Sequence, residues 1–244
     1  MRPTRRKLLD QSPDLVRRYV RMVVHRKQSK ISRALARRII RPKLQWVERK
    51  RKKVLDSTLR TVYAEAVRVR RLGFDASACV LNLGLYFLTA ERDIHAAKID
   101  ALTHPDPWKR KLAARVILLT LHELEVDKAA GHSLRQALSD GKISGPLRDS
   151  VTDALRAIRK AQSQAQHQFA YLRHSTIAHR DPDAIQQYRD IIEIDEFEVA
   201  RIAVEFYAGA QKFMDVIPRL LNQLSTLEGL LGQMDARRAR HARQ

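Results

Sequence analysis

The chain has one cysteine, Cys79, in 244 residues, which rules out an intramolecular disulfide and a cysteine-built zinc site and fits a reducing cytoplasm. Cys79 lies in an apolar run and reads as a small core residue rather than a nucleophile. Glycine and proline are scarce, at 8 each, and no glycine-rich phosphate loop or Gly-x-Ser-x-Gly turn occurs. Nucleotide hydrolysis and esterase chemistry therefore have no support. No stretch alternates apolar and polar residues long enough to demand a sheet, and no fixed-period repeat is present. The most apolar run, Ala76 to Leu88, contains Asn82 and falls about seven residues short of a bilayer span. No apolar segment follows the first basic residues as a secretory signal would, so no transmembrane segment and a cytoplasmic location are expected. The Arg-rich start resembles a transit peptide, but Asp10, Asp14 and the scarcity of serine argue against one.

Positive charge is abundant, and it is unevenly placed. The formal net charge is +20. Residues 1–53 hold 20 Lys/Arg against Asp10, Asp14 and Glu48, a net +17, whereas residues 54–236 are close to neutral at −1 and Arg237, Arg238, Arg240 and Arg243 form a basic tail. A cationic arm on a neutral body suits a phosphate-rich partner, because each neutralised phosphate releases condensed counterions. Nucleic acid, ribosome and an anionic membrane surface all meet that description. Few large aromatics accompany the arginines, which places the membrane last. Arg17, Arg18, Arg21, Arg37, Arg38, Arg49, Lys50, Arg51, Lys52 and Lys53 are the candidate nucleic-acid contacts.

Hydrophobic spacing is helical nearly throughout and predicts an all-α protein. Ser12-Pro13-Asp14 starts a helix with a capping hydroxyl and a proline at its first position. Leu15, Tyr19, Val20, Val23 and Val24 form its apolar stripe, and Ile31, Leu35, Ile39 and Ile40 form that of a second basic segment, which Pro42 interrupts. A basic helical arm at 1–53 is followed by a bundle at 54–235 and a basic tail at 236–244. The bundle divides into helices at about 54–72, closed by Gly73 in a left-handed cap, 76–102, 107–128, 146–172 and 195–216. Between Gly131 and Gly145 one short helix at most is expected. The 107–128 helix is patterned by Trp108, Leu112, Val116, Leu119 and Leu124, and the 195–216 helix is expected to bury Phe197, Ile202, Val204, Phe206 and Phe213. Pro218 is expected to kink or restart that last helix.

The long helix ends on Leu172-Arg173-His174-Ser175-Thr176-Ile177-Ala178-His179-Arg180-Asp181-Pro182. Arginine and histidine together are what metal-free RNA cleavage requires, a fixed cation and a group that moves protons near neutral pH. Their spacing alone is uninformative, since a chain with 33 arginines and 9 histidines yields one such pair by chance. In an unbroken helix six residues turn through about 600°, leaving the two side chains about 120° apart. Convergence on one phosphate therefore needs the helix to end or loosen, and Asp181-Pro182 is a strong stop signal.

This string resembles the motif of the HEPN superfamily, compact helical bundles that include many prokaryotic toxin and phage-defence ribonucleases. Their arginine, a following polar residue and a histidine four to six residues further on correspond here to Arg173, His174 and His179. The resemblance covers about a dozen residues. It implies an endoribonuclease that needs no metal or cofactor and acts as a homodimer on RNA, with two motifs facing each other across one composite site. An antitoxin or other defence partner accompanies some members. Those silenced by a nucleotidyltransferase carry a tyrosine two residues after the histidine, where this chain has Asp181, and other members bind ligands without cleaving.

In the catalytic reading, His179 takes the proton of a ribose 2′-hydroxyl or protonates the leaving 5′-oxygen, Arg173 holds the pentacoordinate phosphate and His174 orients either group. In the competing reading Arg173 pairs with a carboxylate and His179 caps a helix C-terminus. A different class also remains, a non-catalytic helical protein that grips nucleic acid or ribosome through its arm. Other clusters point to solvated surface. His122-Glu123-Leu124-Glu125 lacks the second histidine of a helical zinc site, and Asp93, His95, Asp100 and His104 fall on several helix faces, so no metal is expected. Asp190, Glu193, Asp195, Glu196 and Glu198 read as helix N-terminal charge, or as a dock for the basic arm of a partner subunit.

Overall fold

The computed structural model describes residues 13–172 and 182–242, with side chains over 38–170, 182–240 and 242. All regular structure among these residues is helical. In chain order the helices are α1 (Pro13–Leu72), α2 (Asp75–Thr103), α3 (Pro107–His122), α4 (Val126–Ala130), α5 (His132–Asp140), α6 (Gly145–Leu172), α7 (Ala184–Glu193), α8 (Glu196–Leu224) and α9 (Leu227–His241). The protein is an all-α bundle, and among the described residues no helix is long and apolar enough to cross a membrane.

Local chemistry sets most of the boundaries. Gly73 sits at φ +81°, a left-handed conformation that glycine tolerates, and its amide donates back to the Arg70 carbonyl at 3.0 Å to close α1. Asp106 caps α3 by accepting from the Trp108 amide, with Pro107 at the first helical position. Asp183 accepts from the amides of Ile185 and Gln186 to start α7, and Asp195 does the same for Phe197 at the head of α8. The short helix α7 is not anticipated by the sequence reading, which took this acidic stretch as charge ahead of the next helix.

Pro42 does not interrupt its helix as expected, and Pro218 does not restart the helix it lies in. α1 runs through Pro42 without interruption, and α8 runs through Pro218 to end at Ser225 and Thr226. A proline inside a helix removes one N–H and strands the carbonyl four residues earlier. At Pro42 both the ring and Arg38 are exposed, so water can satisfy that carbonyl.

The core is built by α2, α3, α6 and α8. Val80, Phe87 and Ile94 of α2, Ile117 and Leu121 of α3, Ile158 of α6, and Ile202, Phe206, Phe213 and Leu220 of α8 are essentially inaccessible. Phe87 and Phe213 meet edge to face with centroids 5.3 Å apart. α6 and α8 approach through small residues, Ala154, Ala161 and Ala165 on one and Ala203, Gly209 and Ala210 on the other. A Cβ on Gly209 would lie 2.8 Å from the Ile158 amide nitrogen, which is why this position has no side chain.

The apolar residues expected inside do not all lie there. Phe197 and Val204 are exposed on α8. On α3 the buried face is Ala114, Ile117, Leu118 and Leu121, while Trp108, Leu112 and Val116 point outward. The helix carries two apolar stripes, and packing against α2, α6 and α8 selects the second.

Candidate nucleic-acid interface

α1 presents two unlike faces. At 100° per residue, Arg41, Glu48, Arg51 and Leu55 lie within about 80° of one another around the axis. This is the face laid against α2. Leu55 is buried there, and each charged residue has a partner: Arg41 with Asp100 at 2.6 Å, Arg51 with Glu91 at 3.0 Å and Glu48 with Lys98 at 2.8 Å. Next to this face Asp56 pairs with Arg92 at 2.7 Å, and that guanidinium holds the Asp56 carboxyl below its usual range. Such half-exposed pairs add little stability, but they fix the rotation of α1 on the bundle.

Over the rest of α1, from the edge of that face at Lys52 round to Lys43, the charge is positive. Arg38, Lys43, Arg49, Lys50, Lys52 and Lys53 are exposed and have no carboxylate partner among the described residues. Arg38, Arg49 and Lys53 share a strip within about 60° of the axis, and the six residues span roughly 22 Å of helix at 1.5 Å per residue. Lys50 also lies 4.8 Å over the Trp46 ring, and Trp46 is itself exposed. Of the ten residues anticipated as nucleic-acid contacts, Arg38, Arg49, Lys50, Lys52 and Lys53 face solvent in this way. Arg51 instead commits its charge to Glu91 and stacks 5.0 Å from the Tyr207 ring. Arg17, Arg18, Arg21 and Arg37 belong to α1, and their side chains lie outside the described residues.

Beneath the α1–α2 contact lies a polar cluster that sequence reasoning passes over. His95 is 6% exposed on α2, and its Nε2 faces Glu48 Oε2 at close range without the alignment of a hydrogen bond. Burial, reinforced by the neighbouring Lys98 charge, lowers the imidazole pKa against the opposing pull of Glu48. Lys98 lies 5.2 Å from the Tyr207 ring, and burial raises the Tyr207 hydroxyl well above the ordinary tyrosine value. The available signal was Glu48 itself, the one carboxylate in residues 15–53, which falls in the three-to-four spacing of Arg41, Leu44, Arg51 and Leu55. His95, Glu48, Gln45, Arg49, Lys52 and Arg92 border an open recess of about 410 Å3 between the two helices. Asp100, weighed as a metal ligand, pairs with Arg41, and His104 Nδ1 accepts from the Asp106 amide. Among the described residues no three His, Cys, Asp or Glu side chains converge as a metal site would require.

The anticipated catalytic residues Arg173, His174 and His179 lie outside the described residues. Their flanks are described. α6 runs to Leu172, immediately before Arg173, with a kink at Phe169, where φ is −128° and ψ 19°. α7 begins at Ala184, shortly after Pro182. On α7, the helix that follows this link in the chain, Ile185, Tyr188 and Ile192 are exposed, as are Trp108, Leu112 and Val116 on α3, and Trp108 and Tyr188 stack with centroids 6.3 Å apart.

The molecule is thus an all-α bundle with a one-sided basic helix. Comparison with protein-family models, curated proteins and solved structures finds no match for this chain.

Proposed function

We propose that the chain is a metal-independent endoribonuclease of the toxin or phage-defence kind, a homodimer that holds RNA along α1 and cuts it with Arg173 and His179. The observation that carries the RNA part is the division of α1 into a face whose charges are paired with α2 and a face whose six cations are not. Neutral folding needs do not call for so many unpaired like charges on one helix, whereas a polyanion does. Cleavage rests on the Arg173–His179 string and its resemblance to the HEPN motif. One His179 would remove the 2′-hydroxyl proton, the oxygen would attack phosphorus, and the histidine of a second copy would protonate the departing 5′-oxygen, leaving a 2′,3′-cyclic phosphate. Arg173 would neutralise the charge that builds on the non-bridging oxygens. The exposed apolar side chains of α3 and α7 favour the two-copy arrangement.

The test is incubation of the purified full chain with RNA in excess chelator. Cyclic-phosphate ends, lost in Arg173→Ala and His179→Ala, are expected; full cleavage by both variants would remove these residues from the mechanism. The second reading, a non-catalytic nucleic-acid-binding protein, is favoured by the same cationic face. It would be established by salt-sensitive RNA binding with no cleavage and no effect of His179→Ala.

A further inference from the structure

The α1–α2 recess opens at the edge of the cationic strip and shares Arg49 with it. Arg49 and Lys52 stand one turn apart on α1, so both reach the same rim. Arg92 faces them from α2; its Nε is engaged by Asp56 at 2.7 Å, and no hydrogen bond to its two terminal nitrogens occurs among the described residues. Gln45 adds a neutral amide. One carboxylate, Glu48, also lines the space, but Lys98 at 2.8 Å offsets its charge from the far side. The floor is His95, a buried imidazole whose Nε2 is turned to Glu48. The recess is therefore net positive and bordered by planar guanidinium groups, with room for a tetrahedral anion.

We propose that this recess is a phosphate-binding site, taking either a phosphodiester of an RNA strand lying along α1 or the phosphate of a free nucleotide. It depends on the nucleic-acid reading only for which of the two is the natural source. Arg49 and Arg92 supply forked donors to the non-bridging oxygens, Lys52 supplies a point charge, and the His95 imidazole lies beneath them.

The experiment compares two double variants that remove equal charge from exposed positions of the same helix, Arg49→Ala/Lys52→Ala inside the recess and Arg38→Ala/Lys43→Ala outside it, both in the full chain carrying His179→Ala. In the first arm, thermal unfolding is followed in inorganic phosphate and in chloride of equal ionic strength. Phosphate is expected to raise the Tm of the parent and of the outside variant, and not that of the recess variant. In the second arm, binding of a 5′-hydroxyl oligoribonucleotide is measured by fluorescence anisotropy, and the recess variant is expected to lose several-fold more affinity than the outside variant. A difference in the phosphate arm alone identifies a free phosphate ester as the source, and a difference in the RNA arm identifies the strand. Equal behaviour of the two variants in both arms overturns the site. Phosphate protection specific to the recess with no RNA binding would instead sink the ribonuclease reading and leave the recess standing.

Discussion

Arg49, Lys50, Lys52 and Lys53 should determine how steeply RNA binding depends on salt, and Arg51, in the middle of the same run, should not. The four are exposed and touch no carboxylate, whereas Arg51 faces Glu91 at 3.0 Å. For single-stranded nucleic acid the slope of log K against log salt is about −0.7 per phosphate neutralised. Replacing the four with glutamine removes at most four contacts, so the slope should become shallower by about 2.8. Between 50 and 200 mM salt that difference amounts to roughly 50-fold, the extra affinity the parent loses relative to the variant. Arg51→Gln should leave the slope nearly unchanged and lower the unfolding temperature, since it breaks an ion pair and uncovers the Tyr207 ring. Fluorescence anisotropy across a salt series with a cleavage-inactive protein measures both. If Arg51→Gln flattens the slope by as much as each of its neighbours does, the division of α1 into two faces does not govern binding. If the quadruple variant keeps the parental slope, the cationic strip is not where RNA lies.

Further outcomes follow from packing and titration. Gly209→Ala should destabilise by about 1–3 kcal/mol in urea unfolding, because the added methyl meets the α6 backbone, which cannot step aside as a side chain end would. Phe213→Ala should cost about 3–5 kcal/mol through the cavity left beside Phe87. Because burial depresses His95 below its ordinary 6.5, the unfolded chain binds the proton more readily. Its contribution to stability is then full above pH 6.5 and falls as pH drops through and below that value; His95→Gln should flatten this acid limb, and an unchanged limb would show that other groups control it. Leu112→Glu, on the exposed face of α3, should convert a dimer to a monomer in light scattering and abolish cleavage, while a dimer that survives it would place the interface elsewhere.

The helices and most of their ends are legible in the sequence because their causes are local. Asp106 before Pro107 and the glycine at 73 act within one turn of chain, and the three-to-four spacing of Leu147, Val151, Leu155 and Ile158 marks α6 wherever it packs. Proline was misread because its penalty depends on surroundings: at Pro42 the stranded carbonyl faces water, and the helix continues. The phase of α3 was misread for a related reason, since Trp108, Leu112 and Val116 form as good a stripe as Ala114, Ile117, Leu118 and Leu121, and only the neighbouring helices choose between them.

The site divides in the same way. Sequence alone determines that the charge is concentrated in the first fifty residues, that the body is helical, and that Arg173 and His179 follow a long helical pattern in the chain, because composition, periodicity and chain order are properties of the linear polymer. Tertiary structure decides which of those charges remain available. Arg51 and Arg41 are drawn to Glu91 and Asp100, Glu48 is drawn under the arm to Lys98 and His95, and a recess opens between helices whose facing residues are some forty positions apart. Electrostatic partners are set by distance in space, and no spacing along the chain encodes that distance once a helix has turned its side chains toward a neighbour.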